Sequence, residues 1–124
     1  LEWRMGRVKY LGRLSQAELK AEFYQSSFHF QLSRFEGFGL SLCEAMLCGC
    51  VPIVSSVNIL PEIVAESGFV VERALLSNLK EQVKTALEST DIERRRKEAR
   101  SLIRDRYAAD LRKQQLLALL SEAK

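Results

Sequence analysis

The chain has 124 residues, 47% of them hydrophobic and 28% charged, with a net charge of +3. This is the make-up of one soluble globular domain, large enough to bury a real core. No apolar run reaches membrane-spanning length and no signal-peptide pattern opens the chain, which excludes a membrane span within it and makes the cytoplasm the expected location. Three cysteines, Cys43, Cys48 and Cys50, crowd into one apolar region. An odd, clustered set argues against a disulfide framework, and its spacing on a helix does not converge on a metal; these are expected to be buried apolar fillers.

Taken in chain order, the elements alternate. Residues 7–12, RVKYLG, read as a short β-like run ending in glycine. Ser15 reads as an N-cap with Glu18 three residues on, a capping box, opening a helix over 17–26 with Leu19, Phe23 and Tyr24 on its apolar face. FHFQL, residues 28–32, reads as a strand in which His29 is a satisfied sheet residue rather than a base. A helix over 40–48 stops at Gly49, and CVPIVS, residues 50–55, has the continuous β-branched character of a strand buried on both faces. Pro61 opens a short helix through Ile63 and Val64, GFVV at 68–71 is a further strand, and 77–89 is an amphipathic helix with Leu79, Val83, Ala86 and Leu87 inward. Helical patterns run from Asp91 to the end, through Leu102, Ile103, Tyr107, Leu111 and the leucines at 116–120. The basic run at 92–106 contains Glu93, Glu98 and Asp105, so a solvated, salt-bridged face is expected there, without nucleic-acid binding.

Alternation of this kind specifies an α/β fold, Rossmann-like, with three layers and a parallel sheet. Ligands in such sheets sit beyond the carboxyl ends of strands, where loops lead into helix N-termini. The segment FEGFGLSLCEAMLCGCVPIV, residues 35–54, occupies such a place. Gly37 and Gly39 clear side chains from the turn into the helix, so that a phosphate could approach main-chain N–H groups at the positive end of the dipole. Glu44, one turn in, is the single charge on an otherwise apolar helix, and a carboxylate there could grip a vicinal diol such as a ribose. Glu36 stands in the loop, where a second hydroxyl-rich group could lie. Phosphate between a diol and a polyol is the description of a nucleotide sugar. Plainer readings exist: Glu44 as a structural carboxylate met by a neighbouring loop, Glu36 as a solvated loop residue.

EGFGLSLCEAMLCG, residues 36–49, resembles the E-x7-E signature of retaining GT-B glycosyltransferases of the family 4 type, glycosyl transferases group 1. The YLG at 10–12, SQAEL at 15–19, Ser33 and PEIV at 61–64 agree with it, and the likeness covers residues 8–71. Leu32 stands where the family usually has proline, and Val57 and Asn58 where a glycine pair is usual. The resemblance implies that Glu44 holds the ribose, that Glu36 lies against the donor sugar as the catalytic carboxylate, and that Gly37, Phe38, Gly39 and Leu40 contact sugar and diphosphate. It implies a UDP-, GDP- or ADP-sugar donor, no cofactor and no metal; the nearest approach to a D-x-D motif, Asp91-Ile-Glu93, falls in a charged helix. The whole chain, 1–124, then reads as one donor-binding domain, the incomplete C-terminal half of a GT-B enzyme. The acceptor, a sugar, lipid or polysaccharide, would sit on a missing N-terminal domain, and peripheral membrane association of the full-length enzyme is left open. By itself the fragment is expected to transfer nothing. A degenerate nucleotide-sugar-binding module and a basic α/β interaction domain are the alternatives.

Overall fold

The apolar run around residue 53 becomes the middle strand of a parallel sheet. A computed structural model describes residues 7–35, 37, 39–72, 76–107, 109, 112 and 113. The strands are β1 (Phe28–Gln31), β2 (Val51–Ser55) and β3 (Phe69–Val71), in the order β1-β2-β3. Phe28 pairs with Val51 and Phe30 with Ile53, while Ile53 pairs with Phe69 and Ser55 with Val71. Every residue of β2 is buried, as its unbroken apolar sequence requires of a strand covered on both faces.

The helices are α1 (Gln16–Gln25), α2 (Leu40–Leu47), α3 (Leu60–Val64), α4 (Leu76–Leu87) and α5 (Ile92–Leu102), the last continuing as a π-helical turn over Ile103–Tyr107. Val54 and Ile53 point to opposite faces of the pleat. On the Val54 side Leu42, Met46, Leu60, Ile63, Ala99 and Ile103 close the main core, bringing α2, α3 and α5 together. On the other side Ile53 and Val71 pack with Ala86 of α4. Phe23, Ala45, Cys48 and Cys50 join α1 to α2. All three cysteines are free and buried, as fillers should be.

Local chemistry explains the boundaries. The Ser15 side chain accepts from the Glu18 N–H at 3.2 Å, which caps α1 as the pattern predicts. Gly49 takes φ of 88° and ends α2, with the Cys50 N–H returning to the Ala45 carbonyl at 3.0 Å. Pro61 sits in the first turn of α3, where its missing N–H costs nothing.

One predicted element is corrected. Residues 7–12 form no strand, and Tyr10 is 90% exposed. A β-like run becomes a strand only when another strand's edge pairs with its backbone, and the three-stranded sheet does not include this segment. Tyr24, assigned to the inner face of α1, is instead 55% exposed. The leucines at 111 and 116–120 lie outside the described residues.

Candidate functional site

The loop from β1 to α2 leaves the carboxyl end of the sheet, and a polar ladder anchors its root. His29 Nε2 donates to Gln31 Oε1 at 2.9 Å, and Gln31 Nε2 donates to Ser33 Oγ at 3.1 Å. From β2, the fully buried Ser55 donates its hydroxyl to the Ser33 carbonyl at 2.6 Å. Two strand ends are thereby tied at the point where the loop departs. His29 is the satisfied sheet residue expected of it, its ring edge-on to Phe23 with centroids 5.6 Å apart. Ser55 went unremarked in the sequence, although a serine closing an otherwise apolar buried strand needs a partner.

Of the predicted site residues, Gly37, Gly39, Leu40 and Glu44 fall within the described part of the chain; Glu36 and Phe38 lie outside it. Gly37 is exposed, and a Cβ added there would meet nothing within 4 Å. Gly39 is different: buried, with φ of 82°, it would press a Cβ against Ile63 Cδ1 at 3.2 Å. Glycine at 39 is therefore demanded by backbone conformation and by packing on α3, and at 37 the space is open. Gly39 is also the N-cap of α2 and has no side chain with which to cap it; the first helical bond runs from the Cys43 N–H to the Gly39 carbonyl at 3.0 Å. Such an end presents backbone N–H groups and the positive pole of the dipole.

Glu44 lies one turn into α2, half-buried, while Leu42, Cys43, Ala45 and Met46 around it are buried. It lines a groove of about 420 Å³ between α1 and α2, together with Gln16, Lys20, Tyr24, Leu47 and Cys48. The single charge of the helix thus faces an open, mixed polar and apolar channel. Among the described residues no group of three or more His, Cys, Asp or Glu is placed to hold a metal ion.

The basic helix departs from expectation in one respect. Its outer face carries the expected ion pairs, Arg94 to Glu98 at 2.6 Å and Arg96 to Glu93 at 3.3 Å, and Arg94 also reaches Asp91 at 2.7 Å. Hydrogen bonds from Ser89, Arg94 and Arg95 hold the Asp91 carboxyl well below the usual range. Three of its arginines also reach backbone carbonyls of other elements, however. Arg95 donates to the Gly68 carbonyl at 2.8 Å and stacks on Phe69 at 4.1 Å. Arg96 donates to the Gly49 carbonyl at 3.0 Å, and Arg100 to that of Leu47 at 3.2 Å. Guanidinium groups committed to backbone carbonyls have less to offer a phosphate polymer, which weighs against the interaction-domain alternative.

The half-buried His29 and the buried Cys50 set a pH window for stability. Burial holds the His29 imidazole below its ordinary 6.5, outweighing the bond to Gln31. Below pH 6.5 the unfolded chain binds the proton more readily, so stability falls as pH drops towards the depressed folded value. Burial, with Cys48 adding to it, pushes the Cys50 thiol up to about 11; above pH 9 the unfolded chain loses that proton first, and stability falls again. Urea midpoints measured across pH are expected to form a plateau between these limits, and His29→Gln is expected to flatten the acid side.

Comparison with known proteins comes to the same place. The family model described as glycosyl transferases group 1 matches residues 5–102. The O-antigen chain mannosyltransferase B of Escherichia coli is 36% identical over 69 residues, 56% of this chain and 18% of that protein. The GDP-mannose:cellobiosyl-diphosphopolyprenol alpha-mannosyltransferase of Xanthomonas oryzae pv. oryzae is 43% identical over 54 residues, 44% of this chain and 14% of that protein. Its counterpart in Xanthomonas campestris matches to the same extent. The matched stretches span less than a fifth of those proteins' own length.

Proposed function

The chain belongs to the group 1 glycosyltransferases, and from that premise we propose that it is the donor-binding part of an enzyme that transfers a sugar from a nucleoside diphosphate with retention of configuration. The observation that carries this reading is the entry to α2: an end that Gly39 cannot cap, at the carboxyl end of β1, with Glu44 one turn in and lining an open groove.

In this reading the diphosphate lies over the first turn of α2, met by the backbone at Gly37, Phe38, Gly39 and Leu40. Glu44 accepts the two ribose hydroxyls, and Glu36 contacts the donor sugar. Transfer breaks the bond from the anomeric carbon to the diphosphate oxygen and forms the bond to the acceptor oxygen on the same face. The acceptor proton passes to the departing diphosphate, whose charge is met by the helix end and by basic residues in place of a metal. The acceptor, a sugar, lipid-linked sugar or polysaccharide, belongs to a domain outside this chain, and residues 1–124 alone are expected to show no turnover. The use of a nucleotide sugar fits a cytoplasmic location. None of the described helices is long and apolar enough to cross a membrane.

Two relatives carry GDP-mannose in their names, which puts that donor first in a panel with UDP-glucose, ADP-glucose, GDP and UDP. Saturation-transfer NMR on this chain is expected to show one nucleotide binding saturably, with its ribose protons receiving the strongest transfer. No binding to any of them at millimolar concentration, by this chain or by the full-length protein, would overturn the proposal.

A further inference from the structure

The helix that presents the candidate site is only eight residues long, Leu40–Leu47. Isolated helices of that length are marginal in water, so its pitch over the sheet has to be set from outside. Its inner face is packed through Leu42, Cys43 and Met46. Its carboxyl end is handled in an unusual way. The last turn contains no basic residue of its own, and the cations that complement its negative pole come from α5, about fifty residues further along the chain. Arg100 Nε takes the Leu47 carbonyl and Arg96 Nε takes that of Gly49. The Gly49 backbone makes room for them: a Cβ there would stand 2.8 Å from Arg100 Nη2. The third glycine of EGFGLSLCEAMLCG thus has two reasons to be glycine, a φ of 88° and the guanidinium beside it.

We propose that Arg96 and Arg100 are positioning residues for the donor site: by clamping the carboxyl end of α2 they fix the first-turn amides and Glu44 at its other end, and they cancel the negative pole of the dipole that a bound diphosphate would feel. The proposal rests on the donor reading above and deepens it. It separates two functions of the basic helix that are indistinguishable in sequence. Arg94 serves the solvent face alone, whereas Arg100, and Arg96 through the Nε that its pair with Glu93 leaves for Gly49, serve the site through α2.

Arg95 supplies the control. Its bonds go to the Gly68 and Glu66 carbonyls at the entry to β3 and to Asp91 at the start of its own helix, all away from α2. Arg95→Met should therefore leave the site undisturbed. The experiment compares Arg96→Met/Arg100→Met, the corresponding double lysine variant and Arg95→Met by two readouts: affinity for GDP-mannose, and hydrogen exchange at the Cys43 amide, the first bond of α2. The double methionine variant is expected to bind about fivefold more weakly and to exchange faster at Cys43, from the size of charge–dipole effects at helix ends. The lysine pair should recover most of the affinity, and Arg95→Met should leave both readouts at the wild-type level. Arg100→Met alone, at an exposed side chain, tests the same point should the double variant not fold. Unchanged affinity in the methionine variants, or equal weakening by Arg95→Met, would overturn the inference. If wild-type protein binds no nucleotide, the donor reading fails, and exchange at Cys43 still decides the clamp: faster in the methionine pair than in Arg95→Met upholds it, and equal rates refute it.

Discussion

Gly68→Ala is expected to cost about 3 kcal/mol of stability and to lower Tm by roughly 15 °C, a larger effect than any single methyl usually has. The reason is a close approach of two backbones. A Cβ at Gly68 would lie 2.2 Å from the Pro52 carbonyl oxygen and 2.5 Å from Pro52 Cγ. Pro52 is within the central strand, where proline is rarely tolerated because it brings no N–H to the ladder. Opposite its ring the chain entering β3 comes in unusually near, and only glycine fits. Neither partner gives way easily. Pro52 lies in the fully buried β2 opposite His29 of β1, and the Gly68 carbonyl is fixed by Arg95 at 2.8 Å. Thermal unfolding of the variant measures the effect; a Tm within a degree or two of wild type would mean that the β2–β3 contact is looser than a 2.2 Å approach allows.

Glu44→Ala is expected to weaken nucleotide binding about 30-fold while leaving the fold intact, since two charge-assisted hydrogen bonds to a diol contribute about 2 kcal/mol. The diagnostic is a cycle with a 2′,3′-dideoxy nucleotide. Wild-type protein should lose the same factor on removal of the two hydroxyls, and the alanine variant should lose nothing further. Glu44→Gln should fall between, keeping an acceptor and losing the charge. If the variant discriminates ribose from dideoxyribose as well as wild type does, the carboxylate does not hold the diol. Because Glu44 is half-buried on the groove side of α2, near-native Tm is expected, which keeps affinity and folding separable.

Much of this architecture is legible in the sequence, for reasons specific to each element. The expected strand, helix and strand at 28–32, 40–48 and 50–55 appear within a residue of those bounds because flanking glycines and β-branched composition mark them, and Gly49 ends the helix with the φ that glycine adopts freely. His29 and the three cysteines were also readable, because buried small or lone side chains are far more often packing than chemistry. What escaped has one physical origin, contact between residues distant in sequence. RVKYLG carries the propensity of a strand, but strand formation is decided by a neighbour's edge. Arg95, Arg96 and Arg100 look like their solvated neighbours, and their bonds to Gly68, Gly49 and Leu47 depend on how α5 crosses α2 and β3. Gly39 has, beside the ligand approach that its spacing suggests, a φ of 82° and the nearness of Ile63, and the second of these is invisible in sequence. The same loop-and-helix entry that the motif marks is where the structure places an uncapped end and a half-buried carboxylate.

The most direct test of the donor-site account is an amide-resolved titration of this chain with GDP-mannose, following backbone ¹⁵N–¹H shifts. The account predicts the largest shifts at the Gly37, Gly39, Leu40 and Ser41 amides, with smaller ones at Glu44 and along the α1 side of the groove. It also predicts that α4, on the opposite face of the sheet, stays still. Saturable shifts confined to α4 or to the outer face of α5, with the entry to α2 unmoved, would contradict it.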